Sequence, residues 1–511
     1  MEGAAVSAGS GDGVKAGEKG LKSNALGYLS NLVIGVASTA PGYSLAATLG
    51  FVVAIGGVGA WAPAVLVVSF VPMLLIAAAY YYMNRADPDC GTTFSWVTKA
   101  MGPWAGWLGG WAIVCADVVV MATLSYIAGI YTFLLFGLDD AAANTLDISI
   151  VAAVWIAVMT WICWRGIELS ARTQFFLLAA EILALSLFAA AAFIHVFFGD
   201  SGVNPSLDWL NPFSIPGGLS AMLDGMLLGV FIYWGWDSGV CVNEESKDSS
   251  SGPGRAAIMS TIVLVLIYVI VALAAVSYAG TVFLKHNADD VLSALGTDVL
   301  GEPLDKVLII AVLTSAAAST QTTILPTART TLSMARFKSI PRIFGRIHPR
   351  YLTPDVSTLA MGAVSLIWTL AIINISENVL ADSLTGLGFL ICFYYGLTGL
   401  ACTIFYRKEL FKSVKNFFLV GVAPLAGFAI LALIFVKAYV EYKDPVNTTS
   451  GSEFLGVGVP VAIGVGLLLV GIVLMVLDNF VFPKFFKRKW ETAEPGILEG
   501  TTKGEASVMA D

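Results

Sequence analysis

"AMLDGMLLGVFIYWGWDSGVCVNEESKD", residues 221–248, decides how this chain is read. The stretch runs apolar to Tyr233, breaks into Trp-Gly-Trp-Asp-Ser-Gly, resumes briefly, and ends in a cluster of acidic and basic residues. Backbone that leaves the helix in hydrocarbon is tolerated only where it lines a cavity or is buried in protein. An aspartate at such a break, here Asp237, is an intramembrane carboxyl, and such groups mark functional sites. A second hydrophobic segment, "NLVIGVASTAPGYSLAATLGFVVAI" (31–55), is interrupted in the same way around Ser38, Thr39, Ala40, Pro41 and Gly42. Two interrupted helices in corresponding halves of a chain point to a binding site near the bilayer midplane.

Composition agrees. Of the 511 residues, 57% are hydrophobic and 13% charged, against roughly 25% charged in a soluble domain. The chain is a polytopic membrane protein. Its net charge of -8 says little about partners, because the charges sit in loops. The 6 cysteines are scattered and mostly within apolar segments, without the spacing of a disulfide framework or a zinc site. The first twenty or so residues lack the apolar core of a signal peptide and read as a disordered tail, as does the chain after Trp490.

About twelve segments are long enough to span, given the roughly 20 apolar residues a helix needs: 26–55 (broken), 62–83, 104–136, 148–164, 171–198, 220–243 (broken), 256–283, 303–328, 356–374, 380–406, 415–440 and 455–482. "WRGIELSAR" (164–172) carries enough charge to be a tight loop between the fourth and fifth. One set of loops carries Arg85, Lys99, Arg165, Arg172, Lys247, Arg255, Arg329 to Arg350, Arg407 to Lys415 and Lys484 onward. The opposite set is acidic, with Lys285, Lys306 and Lys443 the exceptions. Lysine and arginine concentrate in short cytoplasmic loops, so both termini are expected in the cytoplasm, with the protein in the plasma membrane.

No nucleophile–base grouping, no metal-ligand spacing and no GxxxxGK[ST] phosphate loop occurs. An enzyme and ATP drive within this chain are both disfavoured, no cofactor is expected, and nothing suggests nucleic acid. An ion gradient is the remaining energy source.

Four stretches resemble the amino acid–polyamine–organocation permeases across about residues 25–410: "GVASTAPGYS" (35–44), "RGIELSARTQFF" (165–176), "FIYWGWDSGVCVNEESKD" (231–248) and "TARTTLSMARFKSIPRIFGRIHPRYLTPDVST" (327–358). The resemblance implies an all-α fold of about 12 transmembrane helices of LeuT-like design. Helices 1–5 (25–199) and 6–10 (200–410) would be inverted repeats, with peripheral helices 11–12 (411–483) and cytoplasmic tails at 1–24 and 484–511.

The site residues follow from the two breaks. Unwinding at 38–42 frees N–H groups at a half-helix N-terminus, which suits an anionic group such as a substrate carboxylate. In helix 6, Gly235 permits close backbone approach, and the indoles of Trp234 and Trp236 can stack on an amine. Asp237 either recognises an amine or caps the second half-helix. Asp117, in helix 3, adds another carboxyl without a mid-membrane cation. Glu181, in "FFLLAAEILALSLFAAAAF", stands where many proton-coupled family members carry a lysine, so it either carries a proton or helps hold sodium. Ser315, Ser319 and Thr320 of helix 8 offer hydroxyls for a cation, or only pack between helices. Glu244, Glu245 and Lys247 are expected to form a cytoplasmic gate salt bridge.

These readings predict a secondary transporter that imports an amino acid or related amine by alternating access, driven by a proton or by sodium. The alternatives are a polyamine or alkylamine carrier or exchanger, and a non-transporting sensor or structural subunit. Oligomeric state is left open.

Overall fold

The computed structural model describes residues 19–488, apart from 200–201, 289 and 376. It is almost entirely helical, with one two-residue hairpin pairing Glu453–Phe454 and Val457–Gly458. Among the described residues, eleven helices are long and apolar enough to cross a membrane: Tyr28–Ala54, Gly59–Ala86, Pro103–Leu135, Thr145–Arg165, Ile167–Phe198, Gly252–His286, Lys306–Arg336, Asp355–Ile373, Ala381–Phe405, Val414–Tyr442 and Val459–Val481. Like the first of these, a further span, sixth in chain order, is broken. Its first half is Gly218–Ile232, and the chain resumes as Ser238–Cys241.

Each break has a local cause. In the first span, Tyr28–Ser38 ends at Thr39, whose hydroxyl donates to the carbonyl of Val36 at 2.6 Å. Ala40 takes a left-handed conformation (φ 48°, ψ 63°), and Pro41, which has no N–H to continue the ladder, opens Pro41–Ala54. In the sixth span, Gly235 sits at φ 119°, in a region L side chains rarely adopt. A Cβ at Gly235 would meet the Ser38 carbonyl oxygen at 2.6 Å, and one at Gly239 would meet the Asn31 carbonyl at the same distance. These glycines let the two breaks lie against each other. Ser38 and Ser238 then share a hydrogen bond between their hydroxyls at 2.7 Å. The second, fifth, seventh, eighth and tenth spans pack against this pair, and the third and eighth make the most extensive contact in the molecule.

Several boundaries differ from expectation. The loop expected over 164–172 shrinks to Gly166, at φ 143°, which ends Thr145–Arg165 and opens Ile167–Phe198. Arg165 stays at the helix end with its guanidinium over Trp161 and Tyr351, at 5.4 and 5.0 Å, so its charge needs no separate loop. The eighth span runs on to Arg336, so part of the polar stretch 329–350 is helical. Two unexpected helices, Thr93–Met101 and Val291–Leu300, follow the second and seventh spans. The first tail was expected to be disordered through residue 24, yet Lys19 and Leu21 are buried. The second tail was expected from residue 484, yet Pro483–Lys487 is helical and buries Phe485 and Phe486. Residues 1–18 and 489–511 of those two tails lie outside the described residues.

Candidate functional site

The site is the polar centre where the two breaks meet. Pro41 offers no N–H. The next three are taken: Gly42 N–H donates to Glu181 Oε1 at 2.6 Å, Tyr43 N–H to Ser315 Oγ at 3.1 Å, and Ser44 N–H to the carbonyl of Ala40 at 2.7 Å. The donors expected to await a substrate anion are thus occupied by the chain itself. Glu181 is fully buried, and its Oε2 has no hydrogen-bond partner among the described residues. Its acceptor sits at the positive end of the half-helix Pro41–Ala54, where a carboxylate is stabilised. On the other side of the break, Ser319 Oγ donates to the Ser38 carbonyl at 2.9 Å.

Of the three helix-8 hydroxyls, Ser315 and Ser319 reach the first break. Thr320 does not: its hydroxyl donates to Ala316 of its own helix at 2.8 Å. A residue one position along a helix is rotated by about 100°, which turns Thr320 away when Ser319 points in.

Asp237 is buried and accepts from two phenols, Tyr395 at 2.8 Å and Tyr394 at 3.2 Å. It does not cap the helix that follows, which lacks a side-chain cap. Of the two uses expected for this carboxyl, the structural cap is the one the geometry excludes. Tyr394 also accepts from the indole N–H of Trp234. The Trp236 ring stands 5.0 Å from both Tyr80 and Tyr395, and its N–H is buried without a hydrogen-bond partner among the described residues. Asp117, on the third span, accepts from the hydroxyl of Thr327 on the eighth and lies within electrostatic reach of Asp237. The role of Tyr394 and Tyr395 on Asp237 has no sequence signal beyond two adjacent aromatics in an apolar run.

The basic end of the bundle is closed by ion pairs other than those expected. Glu245 pairs with Arg329 at 2.7 Å, both fully buried, and Glu244 pairs with Lys19 at 2.7 Å. Lys247 is in neither pair. Its backbone N–H donates to the Leu26 carbonyl instead. Lys19 also contacts Asp89 at 2.8 Å and Ser333 at 3.4 Å. Asp89, Cys90 and Glu244 bring their ligand atoms within 4.8 Å of one another, and the Lys19 ammonium lies between the two carboxyls. Burial opposes ionisation of Asp89, but the Lys19 ammonium, with Lys99 behind it, outweighs burial and holds the carboxyl well below the usual range. Burial likewise works against the Lys19 charge, and Asp89 reverses that, raising the ammonium well above its ordinary value.

At the opposite end, Lys437 of the eleventh span pairs with Asp224 of the sixth. Nothing in the sequence announces this pair, because one lysine near the end of an apolar span looks like a snorkelling anchor.

An all-α bundle with two broken helices sharing a buried polar centre belongs to the class of polytopic membrane transporters, and comparison with known proteins narrows the class. The family model described as amino acid permease matches residues 26–467, and the chain belongs to that family, one of permeases rather than enzymes. Among relatives, an uncharacterised transporter of Mycobacterium tuberculosis is 26% identical over 57% of this chain. The match spans 63% of that relative's length, just under two thirds. A low-affinity putrescine importer of Escherichia coli is 20% identical over 72% of this chain and 79% of its own. A branched-chain amino acid permease of Bacillus subtilis is 24% identical over 72% of this chain and 78% of its own.

Proposed function

We propose that the protein is a secondary transporter that moves an amino acid or a related organic amine across the plasma membrane by alternating access. The observation that carries this reading is the meeting of the two breaks, where backbone and carboxyl groups leave regular helix in a region closed to water. Such geometry is tolerated in a membrane only around a cavity or a ligand. The basic loops support a cytoplasmic side for their end of the bundle and for both termini. Import then requires the Arg329–Glu245 and Lys19–Glu244 pairs to part as the site opens inward.

A proton drives the cycle through Glu181. With its carboxyl ionised, Oε1 holds the Gly42 N–H and fixes the start of the half-helix Pro41–Ala54. Protonation weakens that bond, because a hydrogen bond to an ionised group is roughly twice as strong as one between neutral groups. Loading a proton therefore loosens the first break. Sodium is the competing coupling ion, with Ser315 and Ser319 as oxygen donors; a carboxyl whose Oε2 has no hydrogen bond among the described residues favours the proton.

The test is uptake of labelled amino acids and amines into proteoliposomes under an imposed pH gradient, without sodium. Gradient-driven uptake that Glu181→Gln abolishes while exchange survives supports the reading. Uptake that requires sodium, or ignores Glu181, overturns the coupling. Binding without flux for every compound makes the chain a sensor.

A further inference from the structure

We infer that the substrate is an organic amine that carries no carboxylate, held by its ammonium between Asp117 and Asp237. The inference rests on the transporter reading and narrows it. The relatives do not decide the matter, since one is named for putrescine and another for branched-chain amino acids.

The first argument is the occupied anion seat. In helix-break transporters the N-terminus of a half-helix receives the anionic group of the substrate. Here Glu181 sits on Gly42, Ser315 on Tyr43, and Ala40 on Ser44. A substrate carboxylate would have to displace Glu181 and then lie beside it, two like charges in a buried region where screening is weak. The chain has in effect supplied the carboxylate itself.

The second argument is the pair of carboxyls without a matching cation, Asp237 in the second break and Asp117 within its electrostatic reach. Asp117 and Asp237 are both nearly fully buried, at 3% exposure. Their partners are the hydroxyls of Thr327, Tyr394 and Tyr395, and neither makes an ion pair among the described residues. A carboxylate has about four acceptor positions, so these hydroxyls leave room for N–H donors. Buried charge without a partner is expensive, and a cationic ligand offsets that cost.

The third argument is the wall. Trp236 and Tyr395 stand 5.0 Å apart, and Tyr394 and Tyr395 4.7 Å. Tyr43, at the head of the half-helix Pro41–Ala54, packs edge-on to Phe231. Aromatic faces attract ammonium groups in desolvated sites. Amines of this class arise by decarboxylation of amino acids, so a decarboxylation is the class of reaction that supplies the substrate.

The experiment uses pairs that differ only in the carboxylate: cadaverine and lysine, tyramine and tyrosine, isobutylamine and valine. Binding to the purified full-length protein is read by thermal-shift titration, and flux is read separately in proteoliposomes. The expected result is at least one amine bound tenfold or more tighter than its parent amino acid. Asp237→Asn should weaken that amine tenfold or more. Glu181→Ala should narrow the ratio by admitting the amino acid. If Glu181→Ala fails to fold, the wild-type ratio decides alone. An amino acid bound as tightly as its amine, or no amine bound in any pair, overturns the inference. Flux of an amino acid bound as tightly as its amine overturns the inference and leaves the transporter reading standing, whereas tight amine binding without flux overturns transport and leaves only the amine-binding site.

Discussion

Replacing Lys19 by Met removes the ammonium that separates Asp89 from Glu244 while keeping an apolar stem of similar length. The two carboxyls present oxygens within 4.8 Å of each other, and their side chains are only 10% and 15% exposed. Two unit charges at that distance repel by about 3.5 kcal/mol at an effective dielectric of 20. Since about 1.4 kcal/mol is a factor of ten in an equilibrium, side-chain relaxation can return more than half of this and still leave a tenfold shift toward the opened basic end. Cys90 reports the opening directly: its thiol is buried 3.6 Å from Lys19, and its backbone N–H donates to Glu244 at 2.9 Å. The assay is the rate at which a membrane-impermeant maleimide labels Cys90 from the basic side, with Cys90→Ser identifying the signal. Lys19→Met should label at least tenfold faster, and Lys19→Met combined with Glu244→Gln should return toward the wild-type rate, because one charge then remains. An unchanged rate in the single variant, or no rescue in the double, refutes the electrostatic account of this closure.

Three further outcomes follow from the same contacts. The contribution of the depressed Asp89 carboxyl is present above its unfolded value and lost as pH falls through the lower folded one, while that of the raised Lys19 ammonium is present below its unfolded value and lost as pH rises through the higher folded one. The melting-temperature gap between wild type and Lys19→Met should therefore stay constant from about pH 5 to pH 9, and a gap that closes within this window contradicts the assignment. Gly235→Ala places a Cβ 2.6 Å from the Ser38 oxygen at φ 119°, a strain of about 1–3 kcal/mol before the clash is counted; it should lose ligand binding, whereas Gly42→Ala, whose nearest contacts are 3.4 Å, should retain it. Lys437→Met breaks a pair whose side chains are 26% and 35% exposed, so it should lower the melting temperature less than Gly235→Ala does, consistent with about 1 kcal/mol or less for an exposed pair.

The spans and both breaks are legible in the sequence because they depend on local facts: the length of an apolar run, a proline without an N–H, a glycine between tryptophans. The partners are not legible. Spans that are apolar nearly all round carry no stripe to say which face meets which neighbour, so nothing local told Thr320 from Ser319 or placed two tyrosine hydroxyls on Asp237. The gate misassignment has the same origin. Glu245 and Lys247 are two residues apart in sequence, yet the cation that reaches Glu245 comes from Arg329, inside a helix expected to end before it. Lys19 was assigned to a tail by composition, and composition does not register that one lysine fits between two carboxyls at the far end of the second span. The occupied anion seat was hidden for the same reason: the break announces free N–H groups, but only the fold brings a carboxyl from the fifth span to them.

The single-residue joint at Gly166 fixes the angular phase of everything that follows it. Glu181 lies about four helical turns beyond that joint, with no slack between to absorb an error. One residue inserted in that interval would rotate the carboxyl by about 100° and carry it off Gly42 toward lipid, without changing the hydropathy of the segment. Length between Gly166 and Glu181 is therefore as much a part of the site as the carboxyl itself: it is a ruler, and an insertion there should silence the protein while leaving its insertion in the membrane untouched.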